Sequence, residues 1–179
     1  FVLSLGVLGL VWLAWIRKEP KEALNFIRHL DWGTLVFLVG IFIVVGTLSE
    51  SGVLEAFSEV LASWVGDNLF LGFALIVGIS VLISGFVDNV PYIAAMLPVA
   101  GGLAKAMQVS PELLMFGLLI GSCLGGNLTP FGASANIVAV SLSEKQGSKV
   151  NFWYWLKIAG PFTILTTVAA SAFIWFVWR

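Results

Sequence analysis

The sequence holds one cysteine and one histidine, and only 11% of its 179 residues are charged. A single thiol, Cys123, excludes an internal disulfide and any zinc site built from several thiolates. It reads as a small apolar filler, with a soft metalloid ligand as the alternative. His29 has no His, Cys or carboxylate cluster around it and reads as a surface residue. There is no Ser-His-Asp set, no His-Glu-x-x-His and no phosphate-binding glycine loop, so nothing marks an enzyme. With a formal net charge of -1 and no basic patch, nucleic acid has no footing. The polar-out alternation of a barrel strand is missing as well.

What the chain does have is apolar sequence: 59% hydrophobic residues and a mean hydropathy of +1.02, more than a soluble core of this size needs. Long apolar runs without strand alternation predict an all-α membrane protein. The first residue, Phe1, lies inside such a run with no basic region before it. That argues against a signal peptide and for a segment of a longer polypeptide, or one half of a split protein.

Residues 1–16 end in Trp12 and Trp15, followed by Arg17 and Lys18, the aromatic and cationic markers of a membrane interface. A polar segment at 17–31 leads to a second span at 35–48. Next, Val53, Leu54, Phe57, Val60, Leu61 and Trp64 fall at helical spacing. This predicts either an amphipathic helix in the interface or a connecting helix packed on neighbouring spans. The apolar run at 69–86 stops at Val87-Asp88-Asn89-Val90-Pro91 and resumes at 92–104. That second arm is only about 20 Å long as a helix, short of a bilayer core, and predicts a re-entrant hairpin with its tip near the membrane middle. Residues 113–124 and 133–142 are each under about 20 Å as helices, so with the glycine-rich stretch between them they predict one discontinuous helix. Trp153, Tyr154, Trp155 and Lys157 mark another interface, and a last span is expected at 159–178. Arg17, Lys18, Lys21, Arg28, Lys145, Lys149 and Lys157 fall on one side under this topology, with Lys105 and Arg179 on the other, which places loops 17–31 and 144–157 in the cytoplasm.

Two interruptions carry the candidate chemistry. Asp88 is the one carboxylate placed away from an interface, a cation ligand or proton carrier if it lies at depth, and a helix cap if the tip reaches water. Asn127, Thr129, Ser134 and Asn136, with carbonyls freed near Pro130 and Gly132, are neutral oxygen donors of the kind that hold sodium. The N-terminal ends of the half-helices favour an anion or a polar substrate. Glycines in this stretch also permit close helix packing, the structural alternative.

The stretches Ser-Gly-Phe-Val-Asp-Asn-Val-Pro-Tyr-Ile-Ala-Ala-Met-Leu-Pro at 84–98 and Gly-Gly-Asn-Leu-Thr-Pro-Phe-Gly-Ala-Ser-Ala-Asn at 125–136 resemble a known pattern. It is that of the C-terminal half of the ion-transporter superfamily of arsenite efflux permeases, NhaD-type sodium/proton antiporters, the pigmentation P protein and citrate and dicarboxylate carriers. From Leu30-Asp31-Trp32 to the last span, nearly the whole chain follows it. The resemblance implies one repeat of an inverted-repeat, elevator-type secondary transporter. Residues 1–66 would be scaffold and interfacial arm, and 67–179 the transport part, with hairpin 69–104 and broken helix 111–143. Asp88, Asn89 and Pro91 would form the hairpin tip, and Gly126, Asn127, Thr129, Pro130, Ser134 and Asn136 the unwound ion and substrate site. Sodium is a candidate at Asp88, Asn89, Asn127 and Thr129. The implied partners are the plasma-membrane bilayer, the N-terminal repeat, a second copy through the scaffold helices, and a small inorganic ion or oxyanion coupled to protons or sodium. Where dicarboxylate carriers show a Ser-Asn-Thr type tip, this chain has Asp88-Asn89-Val90-Pro91, and an added negative charge disfavours a dianion. A passive channel or scaffold subunit is the alternative from another class.

Overall fold

A computed structural model describes residues 2–17, 20–29 and 32–178. Lys18 and Arg179 from the charge asymmetry, and the Leu30-Asp31 pair heading the resemblance, lie outside them. Among the described residues there are helices and no strand. They form two compact units, Phe1–Gly40 and Ile41–Arg179.

In the first unit, helix α1 (Val2–Val11) runs into a wider turn at Trp12–Ile16. The guanidinium of Arg17 stands 5.3 Å from the centre of the Trp12 ring, a cation–π contact at the place where the sequence marks an interface. Helix α2 (Pro20–Arg28) packs on that turn. His29 is exposed, its Nδ1 2.8 Å from Asn25 O, in keeping with a surface residue.

The second unit begins within α3 (Trp32–Glu50). Gly52, at φ 76°, supplies the left-handed turn that separates α3 from α4 (Val53–Val65). Helix α4 packs on α6 (Asn89–Ala106) through Leu54, Ser58 and Leu61, with Val65 turned to Gly72, while Val53, Phe57, Val60 and Trp64 form a second, exposed apolar stripe. The apolar periodicity in the sequence merges these two faces: one is that of a packed connecting helix, and the other leaves an interfacial role open.

The core is built by α5 (Leu69–Ser84), α6 and α7 (Glu112–Gly125). Helices α5 and α7 run parallel and close, because α7 presents glycine every fourth residue to α5. A β-carbon at Gly117 would stand 2.8 Å from the Phe73 ring, one at Gly121 2.6 Å from Val77 O, and one at Gly125 2.6 Å from Val81 O. Glycine packing of this kind is the main source of close helix approach where lipid removes the hydrophobic drive. Helix α6 returns antiparallel to α5, with Tyr92 OH donating to Ser80 Oγ at 3.0 Å. Helix α9 (Phe152–Trp178) runs antiparallel to α7: Trp178 packs on Phe116 near the start of α7, and Trp155 reaches the residues that follow its end.

Among the described residues, Phe152–Trp178 is the one helix long and apolar enough to cross a membrane by itself; Leu35–Glu50 and Val53–Val65 meet that test only as a pair bent by 67°. Helix α6 is longer than the apolar run suggests, because Asp88 starts it at Asn89 and it continues through Lys105. Its 18 residues extend about 27 Å, so arm length no longer separates a re-entrant hairpin from two crossings.

Candidate functional site

The helix of residues 111–143 is interrupted where the sequence predicts. Helix α7 ends at Gly125, a tight turn covers Gly126–Leu128, Thr129 is extended at φ -120° and ψ 156°, and α8 (Ser134–Lys145) starts after Ala133. Pro130 cannot donate a main-chain hydrogen bond, and Gly126 and Gly132 let neighbouring main chain come close. The carbonyls released by the break are satisfied by side chains. Asn136 Nδ2 donates to Gly126 O at 2.9 Å and to Thr129 O at 3.0 Å. Trp155 Nε1 donates to Asn127 O at 2.9 Å.

The hairpin tip meets this break directly. Buried Thr129 donates its hydroxyl to Gly85 O at 2.5 Å. Buried Ser84 lies 2.6 Å from Ser122 O and 2.5 Å from Asn89 Oδ1. Its hydroxyl has one proton, so when it donates to Ser122 O it accepts from an Asn89 amide turned to present Nδ2. A β-carbon at Gly126 would stand 3.2 Å from Asn89 Oδ1 and 3.6 Å from Ala133 Cβ. The first residue of α6 and the residue that precedes α8 therefore flank Gly126. Gly132 closes the arrangement, since a β-carbon there would lie 2.6 Å from both Gly126 O and Gly85 O.

The two helix starts differ in capping. Asp88 caps α6, its Oδ1 accepting from Val90 N at 3.2 Å, and it is exposed. Helix α8 has Ala133 at the capping position and no side-chain cap; Asn136 N donates to Ala133 O at 3.0 Å, and the N–H groups of Ser134 and Ala135 are left to another partner. Of the residues singled out by sequence, Thr129 and Asn136 are buried and spend their donors on holding the break together. Gly126 is buried between the helix starts; Asn89, Pro91, Asn127 and Pro130 are half-buried; Ser134 is exposed. The four sodium candidates do not share one shell of contacts, because Asp88 turns to Val90 N, Asn89 to Ser84 and Thr129 to Gly85 O. Cys123 is exposed rather than an interior filler, and the described residues hold no cluster of three or more His, Cys, Asp or Glu.

Ser84, Gly85, Ser122 and Trp155 complete the junction without having been singled out. Ser84 and Gly85 head the quoted hairpin stretch, and their place just before a tip was the available signal. Trp155 reads as an interface marker in the sequence and had none. Its position also shows where along α9 the junction lies. Trp155 and Trp178 lie about 35 Å apart along α9 at 1.5 Å per residue, so the break is level with the first turn of α9 and not with its middle. A cavity of about 260 Å³ beside the junction lies between α8 and α9, bordered by Val140 and Trp155, and one of about 710 Å³ runs along α5 and α9 away from it, bordered by Phe73, Thr167 and Trp175.

A citrate transporter family model matches residues 1–121. The chain belongs to the citrate transporter family. An uncharacterized transporter of Mycobacterium tuberculosis is 33% identical over 162 residues, covering 89% of this chain and 38% of its own length. One from Synechocystis is 34% identical over 166 residues, with 84% and 37% covered. The P protein of Mus musculus is 30% identical over 177 residues, with 95% and 21% covered. The chain thus spans well under half the length of these relatives. No solved structure matches it. Membership in this family agrees with the ion-transporter superfamily that its two motifs resemble.

Proposed function

We propose that this chain is the C-terminal repeat of a secondary active transporter that moves an inorganic ion or oxyanion across the plasma membrane, driven by a proton or sodium gradient. One observation carries this reading: two interrupted helical segments meet, and the starts of α6 and α8 flank Gly126 with α8 uncapped. Positive helix ends directed at one point favour an anion, and released backbone at such a point is the recurrent arrangement of secondary transporters. Asn89, Asn127 and Ser134, with the main-chain N–H groups of Ser134 and Ala135, contact the solute; Thr129, Asn136 and Gly126 keep the backbone in shape; Pro91 and Pro130 fix the two turns. A sodium ion would draw on the amide oxygens of Asn89 and Asn127, with no carboxylate cage, which suits a weakly held coupling ion. Asp88 stands at the rim. Residues 1–66 serve as scaffold and dimer surface, and 67–179 as the moving part, opposite an N-terminal repeat that completes the site. The loops 17–31 and 144–157 face the cytoplasm. Such a protein is a carrier and not an enzyme.

A second reading within the family is a citrate or dicarboxylate carrier, favoured by the family model that matches the chain. The electrostatic objection from Asp88 weakens, because that carboxylate is exposed and engaged with Val90 N. Full-length protein in proteoliposomes, assayed for uptake of citrate, arsenite and sodium with and without imposed proton and sodium gradients, separates the possibilities. Gradient-driven accumulation of one solute is expected. Flux that only equilibrates the solute, whatever the opposing gradient, would make the protein a channel.

A further inference from the structure

We infer that Trp155 is a positioning residue for the solute site, acting through the main chain of Asn127. This rests on the reading of the break as that site. Five carbonyls are drawn into the junction, Ser122 O among them, held by Ser84 of α5. Gly126 O and Thr129 O are held by Asn136 from the same broken helix, and Gly85 O by Thr129. Asn127 O differs: its donor is an indole from the next helix, 2.9 Å away. A carbonyl at the end of a helical turn has no partner within the helix and in apolar surroundings must find one. The half-buried Trp155 supplies it. Because a trans peptide is planar, fixing the direction of Asn127 O fixes the plane from which Leu128 and then Thr129 continue. Asn127 itself would contact solute, so the indole sets the geometry of a residue it need not share solute with.

The neighbouring packing keeps the indole in range. Phe152 stacks on Phe131 of the break at 6.3 Å, and Phe131 lies 6.2 Å from Phe86 of the hairpin tip. The first turn of α9 is thereby tied to both halves of the junction. Movement of that turn along α7 would break the Trp155–Asn127 bond before the aromatic contacts, since a hydrogen bond weakens steeply with distance and angle while ring contacts tolerate displacement.

The test uses the full-length carrier. In a Cys123→Ser background, a cysteine introduced by Asn127→Cys reports how well the break is held, through its rate of reaction with a charged thiol reagent. Trp155→Phe keeps an aromatic ring and removes the donor, and should raise that rate about threefold to tenfold, the range set by one neutral hydrogen bond. Trp155→His, which keeps an N–H, should stay nearer the parent, and Trp153→Phe, at an exposed neighbour, should change nothing. In proteoliposomes carrying native Asn127, KM for labelled citrate, arsenite or sodium should rise by a similar factor in Trp155→Phe. KM does not depend on the amount of folded carrier, so a partly misfolded preparation lowers only the maximal rate. An unchanged thiol rate, or a raised rate with unchanged KM, would reduce Trp155 to packing. Parent-level KM and rate in Asn127→Ala would instead remove the site reading itself.

Discussion

Gly121→Ala tests whether the α5–α7 glycine seam holds the unit together. The added β-carbon would stand 2.6 Å from Val77 O and 2.6 Å from Ser80 Cβ. One of these is main chain and the other the stem of a buried side chain, so neither can rotate away. The helices must part by most of an ångström, and overpacking of this kind costs about 1–3 kcal/mol, with backbone clashes at the upper end. Alanine regains about 1 kcal/mol of helix propensity over glycine. The net expectation is a loss of about 2 kcal/mol, the difference of those two effects. Gly78→Ala on α5 is the matched control, because a β-carbon there meets nothing within 4 Å; only the propensity gain applies. Thermal unfolding of both variants in the same detergent, at one scan rate, should place Gly121→Ala below the parent and Gly78→Ala at or above it. Coincident midpoints, or a more stable Gly121→Ala, would refute the close packing.

Gln108 has φ 55° at the end of α6, where glycine avoids the steric cost; Gln108→Gly should raise stability by roughly 0.5–1 kcal/mol in the same melts. At Asp88, Asn can also cap, so Asp88→Asn should leave the melting midpoint near the parent, whereas Asp88→Ala should cost about 1 kcal/mol. A transport defect in stable Asp88→Asn would then report charge and not structure. Ser110 Oγ donates to Glu112 Oε2, and this bond holds the Glu112 carboxyl below its ordinary range. A folded-state pKa that is depressed gives stability present above the unfolded pKa and lost as pH falls through the folded value. Ser110→Ala should therefore lower the neutral region of a melting-temperature profile slightly and leave its acid end unchanged, which flattens the limb between them.

Much of the junction was legible because polar and helix-breaking residues stand out against apolar sequence. Pro130 and the flanking glycines announce the interruption, and Asp88-Asn89 announces a helix start. Depth was harder to read. Counting only apolar residues shortened α6, since Asn89, Lys105 and Ala106 are helical without belonging to the run. The count also hid the fact that the break is level with the start of α9. Trp155 was invisible as a partner because an indole beside Trp153, Tyr154 and Lys157 looks like an interface anchor, and only tertiary packing shows its N–H turned to Asn127 O. The roles of Thr129 and Asn136 shifted for the same reason: side-chain type gives donor capacity, while the fold decides whether it faces solute or backbone.

The meeting of hairpin tip and broken helix as a solute-binding junction is tested most directly by ligand-dependent melting of the full-length protein. Sodium, arsenite and citrate would be scanned over pH on the parent, on Asn127→Ala and on Ser134→Ala. Stabilisation of the parent by at least one solute, growing with its concentration and lost or weakened in both variants at unchanged unliganded midpoint, is the expected result. Equal stabilisation of the parent and both variants would contradict it, and would put the bound solute elsewhere in the protein.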